Sequence, residues 1–80
     1  MKSVLNLVGP QVRKLRYGRG LTQEQLAAQV GVLGWDISRA TLAQIESQVR
    51  RVNDGELLFL ATALDVELTL LFASLKPVRK

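Results

Sequence analysis

Cysteine and histidine are both absent from this chain of 80 residues. Without them the protein cannot form a disulfide, offer a thiolate or imidazole to a metal ion, or use a cysteine nucleophile or a Ser-His-Asp triad. A secreted mini-protein held together by disulfides is excluded as well, so the composition favours a reducing, cytoplasmic setting. We expect neither a metal nor a cofactor.

Long hydrophobic runs are missing too, and aromatic residues make up only 5% of the chain. The apolar stretch Val4–Val8 is interrupted by Asn6 and ended by Gly9-Pro10, and a second stretch, Leu68–Phe72, is also short. Neither stretch is long enough for a signal peptide or a membrane span. The sequence therefore predicts a protein with no membrane segment.

The remaining composition is typical of one small soluble domain, with 48% hydrophobic and 22% charged residues. We interpret residues 1–80 as a single domain with an N-terminal arm at 1–8 and a basic tail at 76–80. A chain of this length buries a modest share of its surface. Its stability margin is therefore expected to be thin unless a second subunit adds burial.

Positive charge is unevenly distributed along the chain, which has 11 Lys and Arg against 7 Asp and Glu and a net charge of +4. Residues 1–51 hold eight basic and three acidic residues. Residues 52–75 hold four acidic and no basic residues, and residues 76–80 hold three basic ones. This division indicates two surfaces, one suited to a polyanion and one suited to a different contact.

Five helical segments are predicted from capping residues and apolar periodicity. Gly9-Pro10 starts the first, because proline is tolerated in the first turn of a helix. The expected N-caps of the next three are Thr22 with Gln25, Ser38, and Asn53 with Glu56. The expected buried faces are Val8, Val12 and Leu15; Leu26, Ala27, Val30 and Leu33; Leu42, Ile45 and Val49; Leu57, Leu60, Ala61 and Leu64; and Leu68, Leu71, Phe72 and Leu75. Almost no strand alternation is present, so the predicted fold is all-α.

The second and third segments carry the functional signal. Leu21–Ala27, a turn, and Ser38–Glu46 resemble the helix-turn-helix of the Cro/cI-type (XRE-like) bacterial and phage regulators. The resemblance extends over residues 9–72 and covers most of the chain. It implies a five-helix lambda-repressor-like DNA-binding domain, in which the third helix enters the major groove and the second crosses the DNA backbone.

The resemblance also implies roles for particular side chains. Arg39, Ala40 and Gln44 match the base-reading positions of the family. Arginine can pair with guanine, glutamine with adenine, and alanine can touch a thymine methyl group. The positions matched to DNA-backbone contacts, or adjacent to them, are Thr22, Gln23, Ser38, Thr41, Ser47, Arg50 and Arg51. Arg16 and Glu46 match a partly buried ion pair that joins the first helix to the end of the recognition helix.

Two features of the middle segments depart from the family pattern. The turn is about five residues longer, at Leu33–Ile37, so either the second helix runs on before Gly34 or the linker bulges. Trp35 in this insertion is expected to pack rather than to contact DNA. Gln48 stands where the family commonly has glycine. A left-handed backbone at a non-glycine residue costs about 1 kcal/mol or more, so we expect the third helix to continue toward Arg50.

A third departure lies in the acidic segment. Phe59 and Leu70 occupy positions that are usually polar in the family, and with Leu58 they would leave apolar surface exposed on a lone domain. We predict a symmetric homodimer through the fourth and fifth helices, which would place two recognition helices about 34 Å apart. The alternative is that residues 1–8 cover this surface.

These patterns together predict a sequence-specific transcriptional regulator that binds double-stranded DNA, most simply a repressor of a palindromic operator. An antitoxin, with a toxin or another regulator as protein partner, and a restriction-modification controller can use the same domain. A protein-interaction module that does not read DNA is a second class. An enzyme is disfavoured, because carboxylates such as Glu24 and Asp36 stand alone and no glycine-rich phosphate loop is present.

Overall fold

The computed structural model describes residues 4–73 and 75, and every regular element in them is helical. The elements are α1 (Gly9–Gly18), α2 (Gln23–Leu33), α3 (Arg39–Glu46), α4 (Asp54–Ala63) and a 3₁₀ helix (Leu68–Phe72). The all-α prediction is therefore confirmed for this part of the chain. None of these helices is both long enough and apolar enough to span a membrane. The basic tail at 76–80 lies outside the described residues.

The predicted fifth α-helix is wrong, because Leu68–Phe72 forms a 3₁₀ helix of five residues. Only Leu71 in it is buried, whereas Leu68 and Phe72 stay 41% and 37% exposed. One anchoring side chain does not offset the cost of ordering a longer helix, and 3₁₀ segments are characteristically this short. Within residues 4–73 and 75, four α-helices and a 3₁₀ helix therefore replace the expected five.

Three helices begin at the predicted caps. Thr22 Oγ1 accepts the backbone N–H of Gln25 at 3.0 Å, and Gln25 Oε1 accepts the N–H of Thr22 at 2.9 Å. Asn53 and Glu56 make the same reciprocal pair at 2.8 and 3.1 Å. Ser38 Oγ accepts an N–H in the first turn of α3. Each pairing satisfies backbone donors that helix geometry leaves without partners, which explains why these starts were readable from sequence.

The end of α3 differs from the prediction. The helix stops at Glu46, and Gln48 takes the left-handed conformation with φ of 68°. The N–H of Gln48 bonds the carbonyl of Ile45 at 3.1 Å, and the N–H of Val49 bonds that of Gln44 at 3.0 Å. This is a Schellman ending, which satisfies carbonyls that a helix terminus leaves open. Val49, expected on the buried face, is 57% exposed as a result.

The long turn is resolved mainly by extending α2. The helix runs to Leu33, and Gly34 ends it with φ of 119°. Leu33 lies beyond the core and is 42% exposed, so its predicted burial is wrong. Trp35 then folds back against Phe59 of α4, with ring centroids 6.0 Å apart. The insertion therefore packs on the domain, and Trp35 has the packing role expected of it.

The core lies where α1 and α2 pack on α3, and α4 packs on α2 and the 3₁₀ helix. Its buried apolar side chains are Val8, Val12, Leu26, Ala27, Val30, Leu42, Ile45, Leu60, Ala61, Leu64 and Leu71. At one edge, Gly9 at the start of α1 lies so close to the carbonyl oxygens of Ile45 and Glu46 that a Cβ atom would clash with both. The N-terminus of α1 and the C-terminus of α3 are thus in direct backbone contact.

Candidate nucleic-acid interface

Helix α3 buries one face and exposes the other. Leu42 and Ile45 are fully buried in the core, whereas Arg39, Ala40 and Gln44 are exposed. The short helix begins at Arg39, and Gln44 lies about one and a half turns further along it. The three positions matched to base reading therefore share the solvent side of one helix.

The N-terminal ends of α2 and α3 border an open depression that also reaches α1. Arg13, Tyr17 and Arg39 line it together with Thr22 and Gln23. The guanidinium of Arg13 lies 5.8 Å from the centre of the Tyr17 ring, and this arginine is the main cause that lowers the pKa of Tyr17. Its lining also includes Arg16, whose charge is balanced by Glu46, and the carboxylate of Glu24. The two other arginines and the positive end of α2 outweigh that one carboxylate, so the depression suits an anion.

Several residues matched to DNA-backbone contacts also make contacts within the chain. The Gln23 amide donates to Glu46 Oε1 at 3.1 Å, and Ser47 Oγ donates to the carbonyl of Ala43 at 2.9 Å. Ser38 and Thr41 are held together at the start of α3, with their hydroxyl oxygens 3.1 Å apart. These contacts were not predicted from the sequence, because a polar residue near a helix end can either bond its own backbone or contact DNA.

Arg16 and Glu46 form a buried ion pair. Arg16 Nε donates to Glu46 Oε2 at 2.7 Å, and Nη2 donates to Oε1 at 3.0 Å, with side chains only 5% and 3% exposed. A further N–H of Arg16 bonds the carbonyl of Leu21 at 2.8 Å. The hydrogen bonds to Glu46 raise the pKa of Arg16 above its ordinary value. The pair joins α1, the segment before α2 and the last turn of α3.

We expect Glu46→Ala to lower the free energy of unfolding by roughly 3 to 5 kcal/mol, because it leaves the buried Arg16 without a counter-charge. The measurement is thermal unfolding followed by circular dichroism. Glu24→Ala serves as a control, since Glu24 is exposed in the first turn of α2 and its helix-dipole contribution is at most about 1 kcal/mol. Equal melting temperatures for Glu46→Ala and the wild type would contradict this role.

Arg50 is held by partners that the sequence did not reveal. Its Nη1 and Nη2 donate to the Glu56 carboxylate at 3.1 and 3.2 Å, and its guanidinium lies 5.7 Å from the centre of the Trp35 ring. Arg50 is therefore not a free surface cation, which qualifies its assignment to DNA-backbone contact. Arg51 is exposed. Of the two adjacent arginines, Arg51 is the one whose side chain faces solvent.

The Arg50 pair makes part of the stability dependent on pH. Arg50, and then the N–H of Asn53, hold the pKa of Glu56 below its ordinary value of 4.5. A depressed carboxylate pKa stabilises the fold fully above the unfolded value and loses that effect as the pH falls through the folded value. Glu56→Gln keeps the capping geometry but removes the charge.

We therefore expect Glu56→Gln to be less stable than the wild type at pH 7, by about 1 kcal/mol or less for this partly exposed pair. The difference should shrink as the pH falls below 4.5, the ordinary pKa of Glu56. Chemical denaturation of both proteins at a series of pH values measures it. A stability difference that stays constant from pH 7 to pH 2.5 would show that the charge of Glu56 is not responsible.

The arm at residues 4–8 contributes a residue that sequence reasoning passed over. Asn6 Nδ2 donates to the carbonyl of Ile45 at 3.0 Å and to that of Arg50 at 2.8 Å. Asn6 Oδ1 accepts the N–H of Gly9 at 2.8 Å. The available signal was weak: one amide in an otherwise apolar stretch, three residues before the start of α1.

The residues expected at a dimer interface divide into two kinds. Leu58 and Leu70 are 59% and 38% exposed, so residues 4–8 do not cover them. Phe59 is half-buried, because Trp35 packs on it within the chain. The expectation that Phe59 is left exposed is therefore wrong in part. A shallow apolar groove remains between α2 and α4, lined by Leu33, Leu58 and Phe59 with Gly55 and Thr62.

The arrangement of α2 and α3 is that of a helix-turn-helix: α2 is capped, a turn follows it, and α3 exposes polar side chains. This arrangement defines a class of protein, the helix-turn-helix regulators that bind DNA. The chain belongs to the helix-turn-helix family of XRE type, whose sequence profile matches residues 12–71. The fold and the family are those of a DNA-binding transcriptional regulator.

Relatives with known names agree with this assignment. The chain is 26% identical over all 80 residues to an uncharacterized HTH-type transcriptional regulator of Rickettsia conorii and to another of Rickettsia prowazekii. It spans only 60% and 58% of their lengths. It is also similar to the crystal structure of the restriction-modification controller protein C.AhdI from Aeromonas hydrophila. That match has 38% identity and a TM-score of 0.72, and it covers 81% of this chain and 91% of that one.

Proposed function

We propose that this protein is a sequence-specific transcriptional regulator that binds a palindromic operator as a homodimer and represses by occupying it. The domain is taken as residues 1–80, working in the cytoplasm. The observation that carries the proposal is the solvent face of α3, where Arg39, Ala40 and Gln44 are exposed on a helix anchored by a buried ion pair. A helix presented in this way fits the major groove of B-DNA.

The side chains on α3 supply the chemistry for a partial code. Arg39 offers a forked donor pair to the O6 and N7 atoms of guanine, and Gln44 can both donate to and accept from adenine. Ala40 offers only a methyl group, which suits the methyl of thymine. Arg39 and Ala40 stand in the first turn of α3 and Gln44 in the second, and in helix-turn-helix proteins the N-terminal part of this helix contacts the base edges.

DNA-backbone contacts surround this helix in the proposal. The exposed Arg51 is a counter-charge for a phosphate, and Arg50 is a weaker one, because its pair with Glu56 offsets its charge. Thr22, Ser38, Thr41 and Ser47 lie near the helix ends, where their O–H groups can donate to phosphate oxygens. Ser47 would exchange its bond to the carbonyl of Ala43 for such a contact. Gln23 contributes mainly its backbone N–H at the start of α2, because its side-chain amide already donates to Glu46.

A homodimer is supported by the apolar surface of α4. Leu58 is 59% exposed beside Leu33, which is 42% exposed, and Leu70 adds a third such side chain. A small single core leaves little stability in reserve, so burial against a second copy is favourable. The four acidic residues between 52 and 75 disfavour contact of this region with DNA, and the α3 helices of the two copies, flanked by the basic residues of 1–51, are then free to face it.

A more specific role follows from the similarity to the controller C.AhdI, which is 38% identical over most of both chains. Control of restriction-modification genes is thus the leading candidate within the regulator class. An antitoxin that also binds a toxin or another regulator would use the same domain. An interaction module that does not read DNA is an outcome of the first test below.

The first test is selection from a pool of random DNA duplexes, followed by affinity measurements at several salt concentrations. We expect a palindrome to be enriched and its affinity to fall steeply with salt. Arg39→Ala should relax discrimination at one base position by roughly 1 to 3 kcal/mol, whereas Arg51→Ala should weaken all sequences alike. Weak, uniform binding would indicate nonspecific electrostatics, and no binding would favour the interaction module.

The second test addresses the dimer by sedimentation. We expect the wild type to sediment as a dimer and Leu58→Glu to sediment as a monomer, because two carboxylates cannot be buried at a symmetric apolar interface. Leu7→Glu makes the same change at an arm residue that is 56% exposed, and it should remain dimeric. A monomeric wild type would remove the dimer from the proposal, and dissociation by Leu7→Glu alone would move the interface to the arm.

A further inference from the structure

The strongest feature outside the proposed DNA-reading surface is the contact between the arm and the end of α3. All the hydrogen-bonding groups of the Asn6 side chain are used: Nδ2 donates to the carbonyls of Ile45 and Arg50, and Oδ1 accepts the N–H of Gly9. Only this orientation of the amide places donors against both carbonyls and an acceptor against the N–H. One side chain therefore joins the start of α1, the last turn of α3 and the loop beyond it.

The backbone of the arm completes the contact. Gln48 Nε2 donates to the carbonyl of Asn6 at 3.0 Å, and the N–H of Leu5 donates to the carbonyl of Gln48 at 3.0 Å. Gln48 is the residue with the left-handed backbone. Its side-chain bond exists only because a glutamine, rather than the glycine common in the family, ends the helix. The arm and the unusual end of α3 are thus parts of one contact.

Through the carbonyl of Arg50, the contact extends to the loop that follows α3. Among the described residues, Asn6 is the one donor that bonds it. That carbonyl belongs to the peptide that leads into Arg51, and the carbonyl of Ile45 lies one residue after Gln44. Asn6 therefore holds the backbone on both sides of the end of α3, next to one proposed base-reading residue and one proposed phosphate-binding residue.

We infer that Asn6 is a positioning residue for DNA recognition, which fixes the C-terminal half of α3 and the following loop so that Gln44 and Arg51 reach the duplex together. This inference rests on the proposed function. It assigns a task to Asn6, which lies outside the segment 12–71 that the family profile matches. Arg39 and Ala40 are set separately, by the Ser38 cap at the other end of the helix.

The test compares Asn6→Asp with the wild type on the duplex that the wild type selects. Aspartate keeps the size of the side chain and its acceptor for Gly9, but it replaces Nδ2, and with it both N–H donors, by one oxygen that faces two carbonyl oxygens. We expect roughly tenfold weaker binding, since the two hydrogen bonds that hold the end of α3 in place are lost. Discrimination should fall at the base assigned by Gln44→Ala and should be retained at the base assigned by Arg39→Ala. Val4→Ala, at an exposed arm residue, should bind as the wild type does.

A second variant keeps the inference testable if Asn6→Asp does not fold. Gln48→Gly removes the side-chain bond to Asn6 while relieving the left-handed backbone, so its melting temperature should stay close to that of the wild type. We expect about threefold weaker binding from one lost hydrogen bond, again with discrimination reduced at the Gln44 base. A merely structural role would change melting temperature and leave base discrimination intact.

The outcomes separate this inference from the proposed function. Wild-type affinity and discrimination in folded Asn6→Asp and Gln48→Gly would overturn the positioning role and leave the proposed function standing. If the wild type selects no duplex, the proposed function fails. In that case hydrogen exchange still tests whether the Asn6 contact orders the end of α3. Faster exchange of the Gln48 and Val49 amides in Asn6→Asp than in the wild type would support this ordering, and equal exchange would overturn it.

Discussion

The buried pair of Arg16 and Glu46 is the interaction on which the arrangement of this domain depends. Two charges have been removed from water, and the cost is offset because Arg16 donates two hydrogen bonds to Glu46 and a third to the carbonyl of Leu21. The amide of Gln23 adds a donor to the same carboxylate. As a result, α1, the start of α2 and the last turn of α3 meet at one point.

A fixed meeting point matters because α3 has only eight residues. A helix of that length is not stable alone in water, so tertiary contacts must set both its existence and its direction. Leu42 and Ile45 bury its inner face, Ser38 caps its start, and Asn6 with Gln48 holds its end. The outer face is thereby left exposed on a helix that is held at both ends, which suits the proposed reading of a groove.

The insertion after α2 also connects the loop after α3 to α4. Gly34 turns the chain so that Trp35 covers part of Phe59 and stacks near Arg50, and Arg50 in turn pairs with Glu56 at the start of α4. The loop after α3 is thus connected to α4. The exposed side chain of Leu58 lies one residue before Phe59 on that helix, so the surface proposed for the second copy adjoins this connection.

The sequence by itself determined the features that act over a few residues. The starts of α2, α3 and α4 follow from side chains that cap their own backbone three residues away, and the all-α class follows from apolar periodicity. The Arg16–Glu46 pair and the solvent-facing positions of α3 were predicted from the resemblance to the helix-turn-helix family. The spacing of residues alone does not predict them.

Tertiary structure decided what depends on partners far apart in the chain. The left-handed end at Gln48, the pairing of Arg50 and the cover over Phe59 each reverse or qualify a reasonable local expectation. Local rules gave Gln48 the cost of a left-handed backbone. They did not include the two bonds that accompany it: the Gln48 side chain donates to the carbonyl of Asn6, 42 residues away, and the N–H of Leu5 donates to the carbonyl of Gln48. The cost of a left-handed backbone can be predicted from one residue. The contacts that offset this cost involve residues distant in sequence, so only the folded structure shows them.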